Sequence, residues 1–323
     1  MRAVVVERTG GPEVLQVQDL DAPEPGPGQV RVDVAASGVN FIDAYQRSGK
    51  YPKPLPFIAG SEGAGTVSAV GEGVGDVSVG DRVAWAMVDG GGYAEQVTVP
   101  ADRVVPVPDA VEPEQAAAVM LQGMTAHYLC EATYPVRSGE TALVHAAAGG
   151  LGLLLTQMLA GKGVRVIGTT STEEKAELAR AAGAAEVVRY TDVDVADEVR
   201  RLTDGRGVDV VYDGVGQSTF DASLHSLRQR GLMVLVGAAS GSVPPLDPQV
   251  LNKLGSLFLT RPTLAHYIAA REELVERAGS VLEQVADGRL EVRIGGRYPL
   301  EEAGRAHEDL EGRRSTGKLL IVP

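Results

Sequence analysis

The sequence carries a single cysteine, Cys130, in 323 residues. That excludes an internal disulfide and any zinc site built from clustered cysteines. Cys130 itself reads as a small buried apolar residue. Five histidines are scattered at 127, 145, 225, 266 and 307, and no two stand close enough in sequence to form a ligand pair. Basic charge is in deficit: 30 Lys and Arg face 43 Asp and Glu, for a formal charge of -13. Such acidity opposes non-specific binding to nucleic acid and attraction to anionic membranes. An anionic ligand must therefore be held by a local basic patch. Long apolar runs are also missing. The longest is broken by His145, Gly149, Gly150 and Gly152, so no membrane span is expected. The opening residues, Met1 to Glu7, are too soon charged for a signal peptide, which makes the cytoplasm the expected address. Hydrophobic content of 44 % is ordinary for a soluble globular protein, and the length suggests two domains.

What is present is organised around Glu140 to Gln157. Thr141 to His145 is an apolar run of strand length. Ala146, Gly149 and Gly152 then have the spacing A-x-x-G-x-x-G, and Leu153 to Leu159 continues as an apolar helix. Glycine at such positions gives a tight turn, lets backbone approach a pyrophosphate, and packs helix closely on strand. The helix N-terminus then offers free N–H groups and a positive dipole end. With a second strand at Val164 to Gly168, the unit predicts dinucleotide binding.

The rest of the chain fits around this unit. Short alternating strands over residues 1–121 (Arg2–Val6, Leu15–Leu20, Val30–Ala35, Gly65–Val70, Asp81–Trp85, Ala94–Val99) predict a partly open β-barrel. Glu112 to Cys130 is helical, with Pro113 at its start. Residues 122–263 alternate strand and helix and end on strand Ser256–Thr260, which predicts a doubly wound parallel sheet. Beyond it, one long helix is expected over Leu264–Asp287, a strand at Glu291–Ile294, an amphipathic helix at Pro299–Gly312 and a last strand at Lys318–Val322. Residues 264–323 are expected to complete the first domain.

The cofactor is read from the end of the second strand. An NAD site normally places Asp or Glu there for the ribose hydroxyls. Here Thr169-Thr170-Ser171 carries no acid, and Glu173 and Glu174 are explained by a capping box starting at Ser171. Small hydroxyls with Lys175 suit a 2′-phosphate, which needs donors and positive charge. Tyr190 packs against the adenosine or in the core. NADPH is therefore expected over NADH.

Several segments together resemble the medium-chain dehydrogenase/reductase superfamily, in its zinc-free quinone oxidoreductase (zeta-crystallin-like) branch. They are Gly38-Val-Asn-Phe-Ile-Asp43, Ala59-Gly-Ser-Glu-Gly-Ala-Gly65, the stretch Gly139 to Gln157, Val211-Tyr-Asp213, Arg230-Gly-Leu-Met233 and Gly255 to Pro262. The resemblance runs from Arg2 to Pro323, with Ala160 a small departure. It implies an α/β chain: a GroES-like, partly open β-barrel catalytic domain, and a Rossmann doubly wound sheet domain that binds NADPH. Zinc-binding relatives have cysteine at the place of Asn40 and histidine at that of Ser61. Asparagine and serine are poor zinc ligands, so no metal is expected.

By the same resemblance, Asn40, Tyr45 and Tyr51 line the catalytic cleft. Asn40 would bond the nicotinamide carboxamide or a water, with a quinone held between the two tyrosines. Asp43 and Glu62 read as structural acids. Implied cofactor contacts are Asn40, Thr125, Ala148, Gly149, Gly150, Leu151, Thr170, Ser171, Lys175, Tyr190, Gly237, Ala238, Ser240, Phe258, Leu259, Thr260 and Lys318, with Arg261 a weaker candidate. The expected activity is zinc-free hydride transfer from NADPH to a quinone. Reduction of activated alkenes (enones or enals) and a non-enzymatic NADPH-binding role are the alternatives. The apolar strand Ser256–Thr260 is an edge that needs cover, and the family implies a homodimer there.

Overall fold

The computed structural model describes residues Met1–Pro323. Its contacts divide the chain into two compact units, residues 1–124 with 267–323, and residues 125–266.

The first unit is mainly antiparallel sheet. Its elements are β1 (Arg2–Val6), β2 (Gln16–Asp19), β3 (Gln29–Gly38), α1 (Phe41–Arg47), β4 (Phe57–Ile58), β5 (Glu62–Val70), β6 (Arg82–Ala86), β7 (Gln96–Pro100), β8 (Val105–Pro106) and the start of α2 (Pro113–Tyr128). The strands form a three-stranded sheet, β2-β1-β4, and a larger one in which β3 pairs with both β5 and β7. Two cores fill it. One gathers Val32, Val67, Trp85, Val97 and Val99; the other gathers Val4, Val6, Val39, Tyr93, Leu319 and Ile321. Alternate valines of β3 point inward, as a half-buried strand requires.

The second unit holds β9 (Thr141–Val144), α3 (Gly150–Gly161), β10 (Arg165–Thr170), α4 (Glu173–Ala181), β11 (Glu186–Arg189), α5 (Val195–Leu202), β12 (Val208–Asp213), α6 (Phe220–Ser226), β13 (Leu227–Leu235), α7 (Gln249–Lys253) and β14 (Phe258–Thr260). The sheet is parallel throughout, in the order β11-β10-β9-β12-β13-β14. The strand order reverses beside β9, which places the expected ligand crevice at the carboxyl ends of β9 and its neighbours. Leu143, Ile167, Val211, Phe220 and Met233 form the core.

The tail departs from its sequence reading in two places. The long helix expected over 264–287 is broken into α8 (Leu264–Tyr267) and α9 (Arg271–Ala286). Two guanidinium groups take the carbonyls that a continuous helix would use: Arg277 donates to the Tyr267 carbonyl and Arg103 to that of Ile268. The strand expected at 291–294 is instead β15 (Ile294–Pro299), paired in parallel with β16 (Lys318–Val322). Gly295-Gly296, just past the expected strand, form a bulge inside β15. A Cβ on Gly295 would lie 1.8 Å from the Thr316 carbonyl oxygen. Between these strands lies α10 (Ala303–Glu311), after a short 3₁₀ turn. Short elements with weak periodicity, α1, β4, β8 and α7, escaped the sequence reading.

Candidate active site and cofactor-binding residues

In the second unit the turn Ala146–Gly149 leads from β9 into α3. No side chain caps this helix; its N-cap is Gly149, in extended conformation. The first-turn N–H groups of Gly150, Leu151 and Gly152 therefore face whatever occupies the turn. The turn is as tight as the helix spacing requires. A Cβ on Gly152 would lie 2.3 Å from the Ala146 oxygen. Ala146 itself sits at φ 51, a left-handed conformation that alanine adopts at a cost of about 1–2 kcal/mol. An uncapped helix start and a backbone cradle without side chains fit a pyrophosphate.

At the end of β10 the cap is not the residue expected. Thr172, not Ser171, caps α4 by accepting from the Lys175 N–H at 3.3 Å. This leaves the Ser171 hydroxyl uncommitted to the helix. Glu173 is held by Arg180 at 2.6 Å and by Arg189 at 3.6 Å, which lowers its pKa. The nearest acid is thus occupied by arginines and is not poised for ribose hydroxyls. Tyr190 lies just past β11 and is exposed, which removes the core-packing alternative. Arg189 was not anticipated. Its sequence signal was only a cation at a strand's carboxyl end.

Thr125 and Ala148 are buried, and Thr170 closes β10. Gly237, Ala238 and Ser240 follow β13. Phe258, Leu259 and Thr260 make up β14, an edge strand in which Phe258 is 60 % exposed.

The first unit presents a buried polar cluster. Asn40 precedes α1, and its N–H donates to Asp43 Oδ2 at 2.8 Å. Its amide is saturated within the protein. Nδ2 donates to Glu62 Oε1 at 2.7 Å and to the Gly38 carbonyl at 3.3 Å. Oδ1 accepts from Lys318 Nζ at 2.6 Å and from Gln122 Nε2 at 3.2 Å. All four bonding positions of an amide are then used. The expected bond from Asn40 to a carboxamide has no free position here, so Asn40 orients its neighbours. Lys318 Nζ also meets Glu62 Oε1 at 2.5 Å, and both groups are sealed from solvent. Gln122 was missed by the sequence reading; its Oε1 is buried without a partner.

Asp43 continues the cluster outward. It accepts from Ser61 Oγ at 2.5 Å and from the Tyr93 hydroxyl at 3.1 Å. Burial pushes its pKa up to about 6 against these bonds. His307 lies between Tyr93 and Arg47, with its pKa lowered to about 3 by burial and by the Arg47 charge. Since arginine only donates, His307 Nδ1 accepts and Nε2–H faces Tyr93. Asp43 and Glu62 are each committed to partners inside the protein.

Tyr45 and Tyr51 come together, but not as jaws. Their ring centroids are 5.2 Å apart with planes at 60°. A ring held between two others needs about 7 Å, so no quinone fits between them. They form one aromatic surface, with Lys50 Nζ 4.3 Å from the Tyr45 centroid.

Comparison with known proteins shows the family. A family model described as the alcohol dehydrogenase GroES-like domain matches residues 26–109, and one described as zinc-binding dehydrogenase matches residues 150–282. A quinone oxidoreductase of Pseudomonas aeruginosa is 48 % identical, with 97 % of each chain covered. The chain belongs to the quinone oxidoreductase branch of the medium-chain dehydrogenase/reductase superfamily. A 2-haloacrylate reductase of a Burkholderia species is 40 % identical over 99 % of this chain and 98 % of its own. The Escherichia coli quinone oxidoreductase solved with NADPH superposes with a TM-score of 0.98 at 42 % identity, each chain covered in full.

Although one family model carries zinc in its description, this member's donor set does not suit that metal. Asn40 is a saturated amide, the Ser61 hydroxyl is bound to Asp43, and Glu62 is neutralised by Lys318.

Proposed function

We propose that this protein is an NADPH-dependent quinone oxidoreductase that works without zinc. The observation that carries the cofactor choice is the end of β10. Ser171 is left uncommitted by the cap at Thr172, Lys175 stands one turn into α4, and Glu173 is tied to arginine. The turn at Ala148, Gly149, Gly150 and Leu151 suits the pyrophosphate. Ser171, Lys175 and Tyr190 suit the 2′-phosphate and adenosine. Thr125, Thr170, Gly237, Ala238, Ser240 and Phe258 to Thr260 are further contacts at the carboxyl side of the sheet. Asn40 and Lys318, committed to each other and to Glu62, are positioning groups of the first unit and not cofactor contacts.

When bound, NADPH supplies two electrons and a hydrogen to an acceptor ring. The chain's own residues then have separable tasks. Lys318, Glu62 and Asn40 form a sealed, charge-balanced cluster that fixes the polar interior of the first unit. Tyr45 and Tyr51 offer a single aromatic face and phenolic protons to a planar acceptor. A quinone needs no strong Lewis acid, because its reduced ring is aromatic. The names of relatives at 43–48 % identity favour the quinone. The 2-haloacrylate reductase favours an activated alkene as a second acceptor class.

The exposed β14 edge, with Phe258 and Leu259 outward, suits pairing with a second copy into a homodimer. No helix is long and apolar enough to cross a membrane. The cytoplasm is the expected address, and the net charge of -13 argues against a nucleic-acid partner.

The test is oxidation of NADPH, and separately NADH, by a benzoquinone and by a small enone. Fast reaction of NADPH with the quinone is expected. Binding of NADPH without quinone reduction would overturn the reading, as would preference for NADH. A monomeric mass by light scattering would overturn the dimer.

A further inference from the structure

Within the second unit a line of buried polar side chains runs across the sheet beneath the expected cofactor loops. It begins at Thr169 on β10, passes through His145 just beyond β9, continues to Ser223 on α6 and ends at Asp213, the last residue of β12. The contacts are 3.0 Å from Thr169 Oγ1 to His145 Nδ1, 2.9 Å from His145 Nε2 to Ser223 Oγ, and 2.8 Å from Ser223 Oγ to Asp213 Oδ2. All four residues are at most 4 % exposed.

The donors in this line all point one way. Asp213 as a carboxylate only accepts, so Ser223 donates to it. The Ser223 oxygen is then the acceptor for His145 Nε2–H. That fixes the tautomer, leaves Nδ1 bare, and makes it the acceptor for the Thr169 hydroxyl. Burial keeps the ring neutral by lowering its pKa.

Asp213 is where the line turns into loop geometry. Its Oδ1 accepts from the N–H groups of Val215 and Gly216 at 2.8 and 2.9 Å, and Thr219 Oγ1 donates to both oxygens. The loop it shapes is the template for the next. The Val215 carbonyl accepts from the N–H and the hydroxyl of Ser240, both at 2.8 Å. Ser240 Oγ in turn accepts from Ser218 N–H. Gly216 packs so closely that a Cβ there would sit 2.9 Å from Ala238 Cα. The Asp213 carbonyl also accepts from Val236 and Gly237 N–H.

We infer that Asp213 is a positioning residue: through Val215 and Ser240 it sets the 237–240 loop, with Ser223 and His145 holding its carboxylate in register. That loop follows β13, across the switch point from the Ser171 and Lys175 end, and so suits the nicotinamide half of the cofactor. The inference rests on the NADPH reading and assigns a task to a residue that touches no ligand. Its consequence is a division of labour. The 2′-phosphate end depends on Ser171 and Lys175, whereas the nicotinamide end depends on Asp213.

The test compares binding of NADPH with binding of 2′,5′-ADP, which carries the 2′-phosphate end alone, by calorimetry. In Asp213→Ala the Val215 and Gly216 N–H groups and the Thr219 and Ser223 hydroxyls lose their common acceptor, so the loop loses its template. NADPH affinity is expected to fall about tenfold, the effect of one or two lost charge-assisted bonds, with 2′,5′-ADP affinity unchanged. Ser223→Ala, which leaves the carboxylate in place, is expected to show the same split to a smaller degree. Retained 2′,5′-ADP binding reports a folded unit in either variant. Equal losses for both ligands in both variants would overturn the inference, as would no loss for either. Wild-type protein that binds neither ligand would overturn the NADPH reading itself.

Discussion

Replacing Lys318 by methionine isolates the energetics of the buried cluster. The substitution keeps most of the side-chain volume and removes one charge. Glu62 is then left as a carboxylate with no counter-ion and no access to water. Removing one partner of a buried pair costs about 3–5 kcal/mol. Here Glu62 keeps two donors, Asn40 Nδ2 at 2.7 Å and the Leu121 N–H at 2.5 Å, so the lower end, about 3 kcal/mol, applies. With a urea slope of about 2 kcal/mol per M, the unfolding midpoint falls by about 1.5 M. The assay is built into the chain. Trp85, the sole tryptophan, is fully buried in β6, directly paired with β5 beside Glu62. Its fluorescence reports unfolding of the first unit alone. The double variant Lys318→Met with Glu62→Gln removes both charges and is expected to recover most of the midpoint. A single variant that shifts the midpoint by less than about 0.3 M would refute the reasoning. So would a double variant as unstable as the single one.

Lys175→Ala is expected to cut NADPH affinity by about 10–100-fold and to leave NADH binding unchanged, read by fluorescence titration of both nucleotides. Gly152→Ala drives a methyl group into the Ala146 carbonyl, so the variant should lose NADPH binding before it loses quinone affinity, measured by the same titration. Asp43, held near 6 in the folded state against about 4 unfolded, favours the fold at low pH and loses that advantage as pH rises. Wild type should therefore lose about 2 kcal/mol of stability relative to Asp43→Asn between pH 4 and pH 6.5, with no further change above, in urea melts followed by Trp85. His307 has the opposite sign. Its lowered pKa gives stability present above pH 6.5 that is lost as pH falls toward 3, so His307→Gln should flatten acid unfolding.

The parts of this molecule that were legible in the sequence are those governed by local periodicity. The βα units of the second unit, the glycine turn at 146–152 and the strands of β1, β3 and β16 follow from spacing alone. The cofactor choice was legible because its signal is the residue type at one strand end. The break at 268–270 was not, because it depends on Arg103 and Arg277 arriving from other elements. The Gly295 bulge was hidden because close approach of a distant carbonyl leaves no mark on local spacing. The saturation of Asn40 was invisible for the same reason. Its four partners come from positions 38, 62, 122 and 318, and no pattern along the chain links them. Tyr45 and Tyr51 were correctly paired, but six residues of separation could not say whether their rings would stack together or stand apart.

Two buried charges of the first unit, Glu62 and Arg47, obtain their charged partners late in synthesis. Glu62 waits for Lys318, and Arg47 waits for His307 and Glu311. A ribosome that has made the first 124 residues has therefore made strands whose interior charges still lack their counterparts. Residues 125–266 are continuous, with a core of their own, and emerge complete in the meantime. The expected order is that the middle of the chain folds while its first third is held open, and that the first third closes only when the last strand arrives. Nascent chains stalled before residue 318 should then expose the Trp85 region to protease while the middle segment is already resistant.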